Sequence, residues 1–301
     1  MSKPGTICRN RAAPYLFIAP FALVFLVFTI YPLVWSVVMA MHQNYGPNVS
    51  AFVGLDNWVW LMGDREFWIA LRNTFVFAAG SICIQLPISL GLALLLNRPN
   101  LRGRMVFRTL FFAPVLVGLA FVAIMFGLIF AKNNGLLNVM LARASAWVPG
   151  WTWDANFPWL QEYIMPALIL AALWMYVGFN MVYFLAALQN VDKQLLEAAS
   201  IDGANAWKRF FHVTLPAIRP VGSFVVLLSF IGSMQLFELP YLLVGPNGGP
   251  DRQGLTVVMY LYEKGFNIGD LGYASAIGWA LAMILFASAI IQRLINRVDE
   301  S

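Results

Sequence analysis

Six long stretches of this sequence contain no charged residue, and they constrain its fold more than any other feature. They cover residues 12–41, 73–97, 109–131, 163–191, 220–237 and 271–292, and the fifth continues past Glu238 to about residue 244. A helix crosses the hydrocarbon of a bilayer, about 30 Å, with roughly 20 residues. Hydrocarbon offers the backbone no hydrogen-bond partner, so each stretch is predicted to be a transmembrane helix.

The composition supports a membrane protein and excludes several other classes. Of 301 residues, 60% are hydrophobic and only 11% are charged, against about 25% charged residues in an average soluble domain. The basic residues behind the net charge of +5 are scattered between apolar stretches, so no nucleic-acid partner is expected. We predict an all-α polytopic membrane protein with six transmembrane helices, in contact with lipid.

The distribution of Lys and Arg predicts the orientation of the chain. With a cytoplasmic N-terminus, 13 of the 19 basic residues fall on the cytoplasmic side, as the positive-inside rule requires. The strongest single signal is the loop 98–108, which carries Arg98, Arg102, Arg104 and Arg108 and no acidic residue. Both termini are therefore expected in the cytoplasm. The basic residues before the first stretch are Lys3, Arg9 and Arg11.

The segment 190–220, between the fourth and fifth stretches, is too polar to span and too short for a domain. We predict a helix over 192–201, a break at Gly203, and a second helix over 204–213 that ends before Pro216 and Pro220. Glycine tolerates the left-handed geometry of a helix end, and proline disrupts a helix interior. From physical chemistry alone, this segment is either a docking element for another protein or an amphipathic loop on the lipid surface.

Polar side chains within the apolar stretches are the candidates for binding. Tyr176, Asn180 and Tyr183 lie near one face of the fourth stretch, and Ser229 and Ser233, four residues apart, share a face of the fifth. Hydroxyl groups and aromatic planes suit a neutral sugar or polyol, and packing between helices is the structural alternative. Glu238 is interpreted either as a structural carboxylate or as an acceptor for sugar hydroxyls.

Other polar residues of the apolar stretches have a structural interpretation. Asn73 and Gln85 are expected at span ends or helix contacts. The two histidines, His42 and His212, lie outside the stretches, so no catalytic or metal-binding set is predicted within the membrane.

Several motifs resemble one family of membrane proteins. Glu197-Ala198-Ala199, then Gly203 and later Leu215-Pro216, are similar to the EAA loop of binding-protein-dependent ABC import permeases. Within this motif, Asp202-Gly203-Ala204 is similar to the corresponding residues in the carbohydrate-importing branch of the family. The turn GPNGGP at 245–250 and the sequence YASAIGWAL at 273–281 resemble the permease type of the larger maltose subunit. The large outer insertion of that subunit has no counterpart here.

This resemblance implies the type I ABC importer permease fold and a role for each site residue. It implies that Glu197, Ala198, Ala199, Asp202 and Gly203 couple the chain to an ATPase subunit. The substrate-pathway residues that it and the residue patterns predict are Met175, Tyr176, Phe179, Asn180, Ser229, Gly232, Ser233, Leu236 and Glu238. No catalytic residue and no metal ligand are predicted.

The resemblance also implies partners and a division of the chain. The expected partners are a second homologous permease, two cytoplasmic ATPase subunits that hold ATP and Mg, an extracytoplasmic solute-binding protein and a sugar-like substrate. No cofactor is expected in this chain, which lacks the glycine-rich nucleotide loop. We divide it into 1–72, the first helix and outer loop; 73–296, the importer core with the EAA segment at 190–220; and a tail, 297–301.

The expected function is that of the inner-membrane permease subunit of an ATP-driven sugar importer. Two alternatives remain open at this point. A permease for a phosphorylated polyol would favour cationic groups along the pathway, and none interrupts the six stretches. An ion-coupled secondary transporter would need its ion site within one chain, usually with paired intramembrane acids or broken helices.

Overall fold

The computed structural model describes residues 13–44, 50–98 and 101–298. Lys3, Arg9, Arg11 and residues 299–301 of the predicted tail lie outside this part of the chain. Within it, five helical stretches are long and apolar enough to cross a membrane, and a bent pair of helices raises the number to six.

The helices of the described chain are α1 (Ala13–Phe25), α2 (Tyr31–Met39), α3 (Asp56–Gly63), α4 (Arg65–Gly80), α5 (Leu86–Leu96), α6 (Arg104–Phe112), α7 (Leu119–Ile129), α8 (Leu136–Ser145), α9 (Ile164–Gln189), α10 (Lys193–Ile201), α11 (Ala206–Arg209), α12 (Leu215–Met234), α13 (Glu238–Val244), α14 (Val257–Tyr262) and α15 (Leu271–Val298). Short 3-10 helices cover Ala113–Leu116 and Pro250–Arg252, and π-helical turns cover Leu26–Ile30, Ser81–Gln85, Phe210–Thr214 and Glu263–Ile268. Strands β1 (His42–Asn44) and β2 (Ser50–Phe52) pair antiparallel, with His42 opposite Phe52.

Three of the π-helical turns end two residues before a proline. Pro32, Pro87 and Pro216 each occupy the first turn of the α-helix that follows. Proline has no N–H to donate, and a local π-helical adjustment is one way for a helix to satisfy the backbone groups that proline leaves free. These helices therefore pass through proline without ending.

The described chain divides into two compact units. The first comprises the described residues up to Gly63 together with Lys264–Trp279. In it the Asn57 amide donates to the carbonyl oxygens of Ala40 (2.9 Å) and His42 (3.0 Å), which anchors the end of α2 and the start of β1. The helical stretch Tyr15–Met39 buries none of its most apolar window within the structure.

The second unit comprises Asp64–Glu263 and Ala280–Ser301, and α9 is its central helix. Buried residues of α9 contribute to two apolar clusters, one with α7 and one with α5 and α12. The helix contacts the backbone of its neighbours directly. An added Cβ at Gly178 would lie 1.8 Å from the Phe111 carbonyl oxygen, so only glycine fits there.

The structure corrects two of the predicted spans. The third stretch is not one straight helix, because Arg104–Leu116 and Leu119–Ile129 meet at 99°. Val117 and Gly118 have extended backbone between them, after Pro114, which cannot donate to the preceding turn. The fifth span ends at Met234, and Glu238 begins the separate short helix α13.

The EAA segment also differs from the prediction in one respect. Its second helix does not end before Pro216 and Pro220, since one helical stretch runs from Ala206 to Met234. The π-helical turn Phe210–Thr214 precedes Pro216 and joins the segment directly to α12. The second half of the segment and α12 are therefore one continuous helical stretch.

Candidate functional site

A cavity of about 360 Å³ lies in the second unit between three helical walls. One wall is the end of α4 with its π-helical turn, the second is α9, and the third is α12. The lining residues are Phe77, Ser81, Gln85, Tyr176, Phe179, Asn180, Tyr183, Leu228, Ser229, Gly232, Ser233 and Leu236. None of these described lining residues is Lys, Arg, Asp or Glu, so the cavity has aromatic, hydroxyl and amide groups without a formal charge.

The α9 and α12 walls contain most of the residues that the sequence predicted for the pathway. On α9, Tyr176, Phe179 and Asn180 line the cavity, because positions three and four residues apart share a helix face. Phe179 and Tyr183 pack edge to face, with ring centroids 5.2 Å apart. The predicted residues of α12 also line the cavity; they are Ser229, Gly232, Ser233 and Leu236.

Two predicted pathway residues do not line this cavity. Met175 is 4% exposed and belongs to the apolar cluster of α7 and α9. Glu238 is exposed in the first turn of α13. Met175 is instead part of the packing between helices, and Glu238 lies beyond the end of α12 at Met234.

The wall formed by Phe77, Ser81 and Gln85 was missed by the sequence analysis. Gln85 was expected at a span end or helix contact, yet it is 5% exposed and lines the cavity. The sequence contains a signal for this wall, since Pro87 interrupts an apolar stretch two residues beyond the π-helical turn. Asn73 does make the expected helix contact, donating to the carbonyl oxygens of Arg252 (2.9 Å) and Leu255 (3.1 Å).

The EAA segment folds as a helix, a sharp bend and a second helix. Asp192 caps α10 by accepting a hydrogen bond from the Gln194 N–H at 2.8 Å, and Asn205 caps α11 through the Lys208 N–H at 2.9 Å. Between them Gly203 has φ +79°, the left-handed conformation that the sequence predicted for the bend. The caps and the bend thus depend on groups close together in the chain, and Leu196 of α10 packs against the apolar cluster of α5, α9 and α12.

The surface of the EAA segment is exposed and partly apolar. Neither α10 nor α11 has a buried residue. Of the predicted coupling residues, Glu197, Ala198, Asp202 and Gly203 are exposed and Ala199 is half-buried. Large apolar side chains surround them, among which Ile201 is 87% exposed and Trp207 is 71% exposed. These exposed apolar groups are available for contact with another protein or with lipid.

An ion-pair cluster joins Arg252, which follows the glycine-rich turn 245–250, to Glu66 of α4 and to Glu263. Arg252 contacts Glu263 at 2.9 Å and Glu66 at 3.0 Å. The hydrogen bond to Glu263 raises the pKa of the Arg252 guanidinium, burial opposes this shift, and the charges of Glu263 and Glu66 add to it. Asp251 and Arg252 both have positive φ, which is uncommon for residues with a side chain. The ion pairs of Arg252 stabilise the backbone at Asp251 and Arg252 in a conformation that these residues do not favour by themselves.

A helical membrane protein with an uncharged cavity among its spans and a protruding helix-bend-helix has the architecture of a transport permease. Residues 85–298 match the family described as "binding-protein-dependent transport system inner membrane component". The chain belongs to this family and is an inner-membrane, multi-pass permease. The predicted family is confirmed.

Curated relatives and solved structures agree with this assignment. The chain is 38% identical to the arabinooligosaccharides transport system permease protein AraP of Bacillus subtilis, over 94% of this chain and 88% of AraP. It is 34% identical to the lactose transport system permease protein LacF of Rhizobium radiobacter, over 92% of both chains. A chain in the crystal structure of a bacterial ABC transporter involved in the import of the acidic polysaccharide alginate has the same fold, with a TM-score of 0.80, 24% identity and 96% of each chain covered. The predicted type I fold is confirmed.

Proposed function

We propose that this permease forms part of the path for a neutral oligosaccharide or related polyol in an ATP-driven importer. The cavity carries this proposal. Its aromatic rings offer flat apolar surfaces, and its hydroxyl and amide groups offer modest hydrogen bonds, which together match a sugar ring. The sugars in the names of AraP and LacF support the same class of substrate.

The importer requires partners beyond this chain. We infer a second homologous permease, two ATPase subunits with ATP and Mg, and a solute-binding protein outside the cytoplasmic membrane. ATP hydrolysis belongs to the ATPase subunits in this proposal. The excess of Lys and Arg on one side supports cytoplasmic termini and a cytoplasmic EAA segment.

The EAA segment is the proposed contact with the ATPase. Glu197 and Asp202 supply charge on its surface, Ala198 and Ala199 permit close approach, and Gly203 sets the bend. Because one helical stretch runs from Ala206 to Met234, a shift of the segment moves the α12 wall of the cavity. ATP binding to the ATPase would thereby select between two arrangements of the spans.

The alternatives fit the cavity less well. A phosphorylated polyol needs a cationic partner for its phosphate, and the described lining residues include no Lys or Arg. An ion-coupled transporter needs an ion site within the spans. The described cavity lining offers no carboxylate for it, and Glu238 is exposed at the start of α13.

Reconstitution in proteoliposomes tests the proposal. The complete complex, with its solute-binding protein, is given a panel of neutral oligosaccharides that includes arabinotriose and lactose. We expect uptake that requires ATP and a hydrolysis-competent ATPase. Uptake driven by an ion gradient in vesicles that hold this chain alone, or no ATP-dependent uptake of any saccharide in the panel, would contradict the proposal.

A further inference from the structure

The cavity wall formed by α4 and its π-helical turn carries polar groups with very different surroundings. Three hydroxyl-bearing residues, Thr74, Ser81 and Ser89, are all buried along this helical stretch. They offer an internal comparison, because each is in a helix whose backbone carbonyl groups can accept a hydrogen bond from a side chain.

Two of these hydroxyl groups are satisfied within the protein. Thr74 Oγ1 donates to the Ala70 carbonyl oxygen at 2.8 Å and accepts from the Val257 N–H at 3.1 Å. Ser89 Oγ lies 2.8 Å from the Gln85 carbonyl oxygen and 2.9 Å from that of Val177. Both residues therefore have a structural role in joining helical elements.

Ser81 is different. The Ser81 side chain is buried, with 5% of the residue exposed, and no described residue is a hydrogen-bond partner for its Oγ atom. A buried polar group without a partner is unfavourable, and in native proteins such a group is explained by strain, a functional role, or a bound water or ion. Ser81 lines the cavity, so a ligand in the cavity is a natural partner for its hydroxyl group.

The π-helical turn places a second polar group on the same wall. The turn begins at Ser81 and ends at Gln85, whose side chain also lines the cavity and is 5% exposed. On the facing wall, Asn180 is 4% exposed and lines the same cavity. π-helical turns are rare and occur often at functional sites.

We propose that Ser81 and Gln85 form a specificity-determining wall that binds hydroxyl groups of the transported saccharide. This inference rests on the proposed function and extends it to a wall that the sequence analysis did not include. Ser81 and Gln85 can both donate and accept, as a sugar hydroxyl group can, and no charge on the described lining favours an anion instead.

The test compares Ser81→Ala with Ser89→Ala in the reconstituted complex. For a saccharide that the wild-type complex imports, uptake is measured for the parent sugar and for its monodeoxy derivatives. Wild type is expected to discriminate against the derivative that lacks the hydroxyl group bound by Ser81. Ser81→Ala should fold with unchanged thermal stability, raise the half-saturating sugar concentration about 3- to 10-fold, and lose that discrimination.

The control variant should behave in the opposite way. Ser89→Ala removes a satisfied contact between α5 and α9, so we expect a lower unfolding temperature with unchanged discrimination. Gln85→Met, which keeps the length of the side chain, should weaken discrimination at a different hydroxyl position of the sugar. Discrimination that is unchanged in both Ser81→Ala and Gln85→Met overturns this inference alone, whereas a wild-type complex that imports no saccharide overturns the proposed function as well.

Discussion

The EAA segment and the cavity are built in opposite ways. The bend of the segment depends on neighbours in sequence, with caps at Asp192 and Asn205 and a left-handed Gly203 between them. The cavity depends on three helical walls that are far apart in the chain. The segment exposes its apolar side chains, and the cavity encloses polar ones.

This difference separates two kinds of specificity. Under the proposed function, a segment whose bend depends on nearby residues would keep its shape as a contact for the ATPase while the spans move. A cavity between separate walls changes shape when one wall moves, as alternating access requires. The continuous stretch Ala206–Met234 connects the two regions.

The largest expected effect concerns the close packing beside the cavity. Gly178→Ala would place a methyl group 1.8 Å from the Phe111 carbonyl oxygen, so the helices must separate and the free energy of unfolding should fall by about 3 kcal/mol or more. The unfolding temperature in detergent measures this loss. Gly91→Ala is the control, since nothing lies within 4 Å of its added Cβ. Equal destabilisation by both changes would contradict the packing described.

The second prediction tests whether the bend of the EAA segment requires the left-handed backbone of Gly203. Gly203→Pro cannot adopt φ +79°, because proline is restricted to φ near −65°. We expect ATP-dependent uptake to fall more than about tenfold, an effect of about 1.4 kcal/mol or more, while the protein still inserts and assembles. Gly203→Asn should retain most uptake, since asparagine tolerates the left-handed region. Normal uptake by an assembled Gly203→Pro complex would remove the coupling role of the bend.

The third prediction concerns the size of the cavity. Gly232 lines it, and an added Cβ there meets no atom within 4 Å. Gly232→Ala should leave the unfolding temperature unchanged and reduce uptake about 3- to 10-fold, with longer saccharides affected more, because a methyl group that crowds a bound ligand costs about 1 kcal/mol, the lower end of the range for such changes. Rates for a series of increasing sugar length give the measurement. A uniform loss for all lengths would indicate a role other than size selection.

The smallest expected effect is at Met175. This side chain is buried in the apolar cluster and does not line the cavity. Met175→Leu conserves volume and should change the free energy of unfolding by less than about 1.5 kcal/mol, with uptake within about twofold of wild type. A change in sugar preference caused by Met175→Leu would instead support the pathway role that the sequence predicted.

The sequence was sufficient for features that arise from local chemistry. Apolar length predicted where the spans lie, except for the bend in the third and the end of the fifth, and Gly203 predicted the bend of the EAA segment. It also predicted the α9 and α12 walls, because Tyr176 and Asn180, like Ser229 and Ser233, follow helical spacing. The roles of these residues in transport stay predictions.

Features that depend on backbone adjustments could not be predicted in the same way. Whether proline ends a helix or is accommodated by a π-helical turn depends on packing and hydrogen bonding outside the local sequence. We therefore expected the second helix of the EAA segment to end before Pro216 and Pro220, and we did not place Ser81 or Gln85 on a wall. The 99° bend beyond Pro114 could not be predicted for a similar reason. The apolar sequence continues through the bend, so it gives no sign that the helix is interrupted there.

Thiol labelling of the cavity tests the central claim most directly. Ser229→Cys is made in a Cys8→Ser, Cys83→Ser background and compared with Ser288→Cys, whose position lies outside the cavity lining. The assembled complex is treated with a small polar thiol reagent, with and without the imported saccharide under turnover. We predict that the saccharide slows labelling at Ser229→Cys and leaves Ser288→Cys unaffected. Equal labelling of Ser229→Cys with and without the saccharide would contradict a solute path through this cavity.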